Sequence, residues 1–357
     1  MNIQKRINAF VKLGIIISFK KTYNYNKIDK NIINKKYFDL LNKAIKESYL
    51  HNRWFTEDNI RNAINAISES LSENNISKWA NRYLKKLSEV NNPKIVGVVM
   101  AGNLPIVGFH DFFCVLMSGN KFLGKLSSKD KYLLPAIADI LIKIEPKFND
   151  YIKLTEDILN SFDAIIATGS DNTSRYFEYY FDKYPNIIRR NRNGIAVITG
   201  KETEKELEAL GKDIFLYFGL GCRNVSKLFV PQDYNFNIFF KSIEKYKHIA
   251  EHYKYYNNYI YNKTIYIITK TKFFDNDFLL LKKEISISSP ISVLYYEYYS
   301  DKKMLKKQLN LNSEKIQCIV TGDIFFDKAI PFGTSQSPQL WDYADEINTM
   351  DFLMKLP

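Results

Sequence analysis

The sequence predicts an α/β protein with two doubly wound, Rossmann-like domains that follow an N-terminal helical region. From residue 93 onward, short apolar segments rich in β-branched residues alternate with segments of helical length, as in parallel sheets covered by helices on both faces. With a prior of about 150 residues per domain, a chain of 357 residues predicts two or three domains. A hydrophobic content of 46% supports a large buried core and argues against wholesale disorder.

The N-terminal region, residues 1–92, has the periodicity of helices. Apolar residues recur at helical spacing through much of it. Thr56, followed by Glu57 and Asp58, is typical of a helix start. Nothing in this region predicts chemistry.

Two sets of alternating strands and helices follow. The first set comprises, in order, "KIVGVVMAGNLP" (strand), "IVGFHDFFCVLMSGN" (helix), "KFLGKLSSKD" (strand and turn), "KYLLPAIADILIKI" (helix) and "FDAIIATGSDNTSRYFEYYF" (strand, Gly-Ser turn and helix). The second set, from Asn193, comprises "GIAVITG" (strand), "KETEKELEALGKDIFLYF" (helix), "VSKLFVP" (strand), "YNFNIFFKSIEKYKHIAEHYKYYN" (helix) and the strands "TIYIITKT", "ISVLYYEYY" and "IQCIVTG". A loop and a final helix complete the chain.

Composition narrows the classes of function. The formal net charge of +12 would suit nucleic acid, an acidic membrane surface or anionic ligands. The lysines are scattered and no nucleic-acid-binding motif occurs, so we expect no nucleic-acid partner and favour a small ligand rich in phosphate. Three cysteines, an odd and sparse set, argue for a reducing compartment. No segment has membrane-spanning length, and we therefore expect a cytoplasmic protein without an integral membrane segment.

Cys222 is the most suggestive single residue. In "YFGLGCRNVSKLFVP" it lies between a helix and a strand, beside two glycines that permit a sharp turn. An accessible thiol there, next to Arg223, would favour the thiolate; the alternative is a partly buried loop cysteine. Cys114, within an apolar helix, and Cys318, within a strand, fit a core better.

Polar residues that follow strands of the first set each allow two interpretations. Asn103 could donate to an oxyanion or cap the next helix, with Pro105 in its first turn. Gly169 and Ser170 suit a bound phosphate but fit an ordinary strand-to-helix turn equally well. Lys125 suits either a phosphate or solvent. His110 suits a polar contact to substrate or a satisfied position in the core.

Taken in order, these pieces resemble the aldehyde dehydrogenase superfamily, most closely its LuxC-type fatty acyl-CoA reductases. "VVMAGNLPIVGF" resembles the strand and loop of the oxyanion asparagine, and "LMSGNKFLGKLSSKD" resembles the cofactor strand. "IIATGS" resembles the turn under the pyrophosphate, and "GLGCRNVSKLFVP" resembles the nucleophile loop. "PFGTSQSPQLWDYAD" resembles the late Pro-Phe-Gly loop. The resemblance runs from about Lys94 to Cys222 and continues more weakly to the C-terminus.

The resemblance implies an aldehyde dehydrogenase-like fold and assigns roles by position. It implies the N-terminal helical region at 1–92, a cofactor-binding domain at 93–193, a catalytic domain at 194–330 and a C-terminal loop and helix at 331–357. It implies Cys222 as the nucleophile and Asn103 as an oxyanion donor. No metal is expected, because no third ligand is evident for the histidine pair of "HIAEH". The remaining implied site residues are Lys125, Ser127, Ser128, Gly169 and Ser170 for the cofactor, and His110 and Phe332 near the substrate.

Departures from the superfamily bear on the direction of the reaction. The glutamate base of hydrolytic members has no counterpart in "RRNRNGIAVI", so an acyl group on Cys222 should persist until a reductant arrives. Hydride would then give a thiohemiacetal that collapses to aldehyde. Glu284 is out of register with the superfamily glutamate that holds the nicotinamide ribose, and we do not carry that role over.

The resemblance therefore implies NADPH-dependent reduction of a fatty acyl-CoA to the fatty aldehyde. NADPH is expected over NADH because Ser127 and Ser128 replace the acid that disfavours a ribose 2′-phosphate. The alternatives are an NAD-dependent aldehyde dehydrogenase working oxidatively and a non-catalytic member of the fold. Another acyl donor, an acyl-transfer protein partner and a homo-oligomer stay open.

Overall fold

The computed structural model describes residues 1–18, 35–87 and 92–357. The chain divides into a first unit, Met1–Arg190 with Gln339–Pro357, and a second unit, Asn191–Pro338. Residues 19–34 and 88–91, which belong to the predicted N-terminal helical region, lie outside the described part. The four-part division expected from the sequence stays a prediction.

In the described residues, five helices precede the sheet of the first unit. Thr56 is confirmed as a helix start, because its side chain accepts a hydrogen bond from the backbone N–H of Asn59 and acidic residues occupy the first turn. Asn2 and Ser72 cap two other helices in the same way. The helices are α1 (Ile3–Ile17), α2 (Lys35–His51), α3 (Glu57–Ser70), α4 (Glu73–Ala80) and α5 (Leu84–Leu87).

A parallel sheet forms the rest of the first unit's framework. Its elements are β1 (Ile95–Val99), α6 (Phe109–Ser118), β2 (Lys121–Lys125), α7 (Leu133–Ile144), β3 (Ile152–Thr155), β4 (Ala164–Thr168), α8 (Asp171–Phe181) and β5 (Asn186–Arg189). The strands pair in the order β3-β2-β1-β4-β5, all in parallel. The chain runs outward one way from β1 to β3 and the other way from β4 to β5. The topological switch point therefore lies between β1 and β4.

The core of the first unit is built around α6. Nearly all of its side chains are buried, and the predicted place of Cys114 in the core is confirmed. A buried ion pair joins Asp111 of this helix to Arg189 of β5, with Oδ2 and Nη1 2.5 Å apart. This pair ties the helix after β1 to the outer strand of the sheet.

The second unit contains a six-stranded sheet. Its elements are β6 (Asn193–Val197), α9 (Glu204–Phe215), β7 (Val225–Pro231), α10 (Phe236–Ile243), α11 (Tyr253–Ile268), β8 (Phe273–Asp275), β9 (Leu280–Lys283), β10 (Val293–Tyr299), α12 (Lys302–Leu311) and β11 (Ile316–Val320). The order is β11-β6-β7-β10-β9-β8, and every pair is parallel except β8 with β9. The predicted alternation of strands and helices around mostly parallel sheets is confirmed in both units.

One predicted strand is wrong. The segment "TIYIITKT", residues 264–271, was expected to be extended because it is rich in β-branched residues, but α11 continues through Ile268. The buried residues of this helix are Tyr255, Tyr259, Asn262 and Tyr266, which recur at helical spacing. Burial at this period outweighs the local β-propensity.

The C-terminal segment belongs to the first unit and ends in α13 (Thr349–Leu353). Thr349 Oγ1 accepts a hydrogen bond from Arg189 Nη2 at 3.1 Å. The carbonyl of Leu353 accepts one from Asn120 Nδ2 at 3.4 Å. Among the helices of the described residues, none combines the length and the apolar character needed to cross a bilayer.

Candidate active site

Cys222 lies on a tight turn between α9 and β7. The backbone N–H of Asn224 donates to the carbonyl of Gly221 at 3.0 Å, which places Cys222 at the second position of a four-residue turn. Cys222 is partly exposed, whereas Cys114 is fully buried. The turn therefore presents the thiol at the amino-terminal edge of the second unit's sheet, rather than within the core.

The chain enters this turn through an unusual backbone conformation. Tyr217, Phe218 and Gly219 have φ values of +56°, +59° and +74°. Glycine adopts this left-handed region freely, but each of the two aromatic residues is destabilised there by about 1–2 kcal/mol. Both aromatic side chains are buried, so packing holds this strain in place four and five residues before the cysteine.

The side chain of Asn224 fixes the turn to the end of α9. Its Oδ1 accepts a hydrogen bond from the backbone N–H of Gly221 at 2.8 Å. Its Nδ2 donates to the carbonyls of Asp213 and Leu216, both at 2.9 Å, and to that of Ile214 at 3.3 Å. One buried amide thus satisfies the unpaired carbonyls at the end of a helix and the N–H that opens the turn.

A glycine and a second thiol lie beside the turn. A Cβ on Gly194 would come within 2.7 Å of the carbonyl oxygen of Arg223, so only glycine lets β6 lie this close to the Cys222 turn. Cys318 lies on β11, opposite Gly194 of β6, and its Sγ is 3.8 Å from the same oxygen. Burial raises the pKa of Cys318 to about 12, and the nearby Cys222 adds to the rise. The predicted strand position of Cys318 is confirmed, but its expected place in the core is wrong, because the residue is partly exposed. Its thiol is a protonated neighbour of the Cys222 turn.

The segment 331–338, which contains Phe332, is anchored beside the Cys222 turn. The two carboxylate oxygens of Asp213 accept hydrogen bonds from the backbone N–H groups of Gly333 at 2.6 Å and Ser335 at 2.9 Å. The guanidinium Nε of Arg223 donates to the carbonyl of Ser335 at 2.8 Å. The Phe332 ring is half-buried and lies near Gly322. Its expected contact with substrate stays a prediction.

In the first unit, several predicted residues follow the carboxyl ends of adjacent strands. Asn103 follows β1, Lys125 ends β2, and Gly169 follows β4. The pairing registers place these three strand ends at the same edge of the sheet. This edge, at the topological switch point, is where ligands bind in open α/β sheets.

Asn103 itself is exposed on a stretch of turns. It does not cap α6: that helix begins at Phe109, with Gly108 at its N-cap. The expectation that Pro105 occupies the first helical turn is therefore wrong, because Ile106 takes a left-handed conformation, with φ of +57°, and interrupts the helix. The interpretation of Asn103 as the cap of this helix is therefore also wrong.

The predicted cofactor residues of β2 and its loop already have protein contacts. Two of the three N–H donors of the Lys125 ammonium go to the carbonyls of Glu156 at 2.7 Å and Asp157 at 3.1 Å. Ser127 Oγ accepts a hydrogen bond from the backbone N–H of Lys129, at 3.3 Å. These contacts hold the loop in shape.

The loop is also supported from α2. The ring Nε2 of His51 lies 2.5 Å from the carbonyl oxygen of Ser128, and the Asn52 side chain donates to the carbonyl of Lys129 at 3.3 Å. Sequence reasoning assigned no role to the N-terminal helices, and this contact gives them one.

The turn of Gly169 and Ser170 opens α8. Ser170 is the N-cap and accepts a hydrogen bond from the backbone N–H of Thr173. A Cβ on Gly169 would lie 3.0 Å from side-chain atoms of Thr173 and Phe177, so close packing of the strand end on its own helix explains this glycine. The turn still presents the positive end of an 11-residue helix at the sheet edge.

His110 lies within α6 in the core of the first unit. Its Nε2 is 3.0 Å from the carbonyl oxygen of Leu340, and its ring packs edge-on against Tyr343, with centroids 5.3 Å apart. Burial lowers the pKa of this imidazole, which keeps it neutral. Its expected contact with substrate stays a prediction.

Three residues with clear roles escaped the sequence reasoning. Asp213 and Asn224 hold the Cys222 turn and the segment beside it. Asp130 accepts a hydrogen bond from the Ile106 backbone N–H in the Asn103 loop, at 2.7 Å. A signal existed for Asp213, since the helical period places it on the buried face of α9. No group of three or more metal-ligating side chains occurs in the described part of the chain.

Comparison with known proteins identifies the family of this chain. A family model described as acyl-CoA reductase (LuxC) matches residues 13–241, more than half of the chain. A long-chain acyl-protein thioester reductase of Aliivibrio fischeri is 23% identical over 172 residues, which cover 43% of this chain and 35% of that relative. The match thus spans about a third of the relative's length.

Solved structures agree on the fold. Aldehyde dehydrogenase 21 of Physcomitrella patens, in complex with succinate, aligns with a TM-score of 0.68 at 12% identity, covering 99% of this chain and 84% of that one. An indole-3-acetaldehyde dehydrogenase of P. syringae, in complex with NAD+, aligns with a TM-score of 0.63 at 10% identity, covering 92% and 74%. The chain therefore has the aldehyde dehydrogenase fold and belongs to the acyl-CoA reductase (LuxC) family.

Proposed function

We propose that the chain reduces a fatty acyl thioester to the fatty aldehyde through an acyl group carried on Cys222. The observation that carries the proposal is the turn of Cys222, a partly exposed cysteine held on a hydrogen-bonded and strained segment in a chain of the LuxC family. Catalytic nucleophiles are often held on such constrained turns.

The first step is acyl transfer to sulfur. The Cys222 thiolate forms a bond to the carbonyl carbon, and the bond from that carbon to the donor's sulfur then breaks. The leaving thiolate takes the electron pair and a proton from water. The backbone N–H of Cys222 would donate to the intermediate oxyanion, and the resemblance assigns the Asn103 side chain as a second donor.

The second step favours reduction over hydrolysis. Hydrolysis needs a base to activate water, and the segment that carries the glutamate of hydrolytic relatives, residues 189–198, has no carboxylate. Asp213, near the end of α9, accepts hydrogen bonds from backbone N–H groups on both of its carboxylate oxygens, so neither oxygen is placed to act as this base. The acyl group on Cys222 would therefore persist until it is reduced.

The first unit has the features that a nicotinamide cofactor needs. The switch point between β1 and β4, the N-terminus of α8 and the Lys125 ammonium lie at one sheet edge, and a relative with the same fold is in complex with NAD+. A bound reduced nicotinamide would supply the hydride. We infer NADPH, with NADH as the alternative, because Ser127 and Ser128 stand where the superfamily often has an acid that disfavours a ribose 2′-phosphate, and because the net charge is +12.

The test is incubation with NADPH and a long-chain acyl-CoA, with aldehyde and free CoA measured together. We expect equal amounts of both, and no aldehyde from Cys222→Ala. Cys318→Ala, which removes a neighbouring thiol of the same unit, should retain activity. A parallel assay with an acyl-protein thioester separates the two donor classes. Oxidation of aldehyde to free acid without CoA, or full activity in Cys222→Ala, would contradict the proposal.

A further inference from the structure

The loop that carries Asn103 contains a conformation that the chain does not adopt readily. Ile106, three residues further on, has a φ of +57°, in the left-handed region that β-branched residues avoid. Its side chain is 3% exposed. Such a residue persists only where its surroundings hold it.

The carboxylate of Asp130 holds Ile106. Its Oδ2 accepts a hydrogen bond from the Ile106 backbone N–H at 2.7 Å. Asp130 is 9% exposed, and its Oδ1 is buried without a hydrogen-bond partner in the described residues.

Burial raises the pKa of Asp130 to about 6, although the N–H groups of Ile106 and Leu133 favour the charged form. The folded-state pKa lies above the unfolded value, so this group contributes less to stability as pH rises through about 4 to 6.

The loop after β1, which carries Asn103, and the loop after β2, which carries Asp130, also meet on the N-terminal side of Asn103. The backbone N–H of Met100 donates to the carbonyl of Lys125 at 3.2 Å. A Cβ on Gly102 would come within 2.2 Å of Ser127 Oγ, so β1 and the loop after β2 meet closely there. Asn103 therefore lies between a position packed against the β2 loop and a position bonded to it.

We propose that Asp130 is a positioning residue for the acyl transfer: through the Ile106 N–H, its carboxylate fixes the loop from which Asn103 donates to the oxyanion. This inference rests on the proposed function. An asparagine at position 130 would have the same shape and would avoid the cost of burying a charge. The charge of Asp130 therefore calls for a role other than folding. A carboxylate accepts more strongly from a backbone N–H, and so restrains the strained residue more tightly.

The test is the rate at which a fatty acyl-CoA acylates Cys222 without cofactor, followed by mass spectrometry of quenched samples. We expect Asp130→Ala to lower this rate about tenfold and Asn103→Ala to lower it about 100-fold. The double variant should be no slower than Asn103→Ala alone. Such non-additivity marks a residue that acts through Asn103, whereas losses from independent residues would multiply.

The chain offers a matched control and a milder variant. Asp163 Oδ2 accepts a hydrogen bond from the Ile95 backbone N–H, also at 2.7 Å, at the opposite end of β1. Asp163→Ala should leave the acylation rate unchanged. Asp130→Asn keeps an oxygen acceptor for the Ile106 N–H without the charge, so it should acylate faster than Asp130→Ala and more slowly than wild type. It carries the test if Asp130→Ala does not fold.

The outcomes separate this inference from the proposed function. Multiplicative losses in the double variant, or a wild-type rate in a folded Asp130 variant, would overturn the positioning role while wild-type acylation stands. If the wild-type chain is never acylated, the proposed function fails first, and the inference fails with it.

Discussion

Replacing Asn224 by alanine should damage both stability and the proposed chemistry. Asn224 is 2% exposed, and its amide bonds the Gly221 N–H and three carbonyls at the end of α9. A buried hydrogen bond contributes about 1 kcal/mol net, so the free energy of unfolding of the second unit should fall by about 3–4 kcal/mol. For a unit of this size the melting temperature should fall by roughly 10 °C.

The chemical effect is measured separately, well below the melting temperature of the variant. Once the turn loosens, the Cys222 backbone N–H no longer points at a fixed place, and we expect acylation of Cys222 to slow about 10- to 100-fold. Asn262 provides the control: it is 6% exposed, and its Nδ2 donates to the carbonyls of Asn258 at 2.8 Å and Ile291 at 3.1 Å. Asn262→Ala should lower the melting temperature alone. Wild-type acylation by folded Asn224→Ala would show that the Cys222 turn does not depend on the Asn224 amide for its chemistry.

Three further changes test the cofactor preference, the anchoring of segment 331–338 and the contact of Gly102 with the β2 loop. Ser128→Asp should raise the kcat/KM for NADH relative to NADPH about tenfold, the effect of about 1.4 kcal/mol; an unchanged ratio would remove the argument for NADPH. Asp213→Asn leaves one acceptor for two N–H donors of segment 331–338 and should lower kcat/KM about tenfold, whereas wild-type kinetics would contradict the anchoring. Gly102→Ala brings a Cβ within 2.2 Å of Ser127 Oγ and should lower the melting temperature, and adding Ser127→Gly should restore part of it; no rescue would show that the contact is unimportant.

The parts of the fold that were predictable from the sequence are those with strong local patterns. β1 and β4 are short apolar runs followed by turn residues, and their burial on both faces explains why the runs are continuous. The segment 264–271 misled because its β-branched residues favour a strand locally. Its helical burial depends on packing against the rest of the second unit, which a local pattern does not contain.

The candidate site divides in the same way. The turn of Cys222 was predictable from its glycines and its place between a helix and a strand. The supports of the site were not, because they join residues far apart in the chain: Asp130 bonds a residue 24 positions earlier, and Asp213 bonds residues 120 and 122 positions later. A polar residue with such a role looks like any surface residue until the fold brings its partner near.

The most direct test of the central claim is the mass of the Cys222 peptide after exposure to a fatty acyl-CoA without cofactor. We expect an added acyl mass on this peptide, absent from the Cys114 and Cys318 peptides, and its disappearance with release of aldehyde once NADPH is added. A Cys222 peptide that stays unmodified, or an acyl group that leaves as free acid before any reductant is present, would contradict reduction through an acyl group on Cys222.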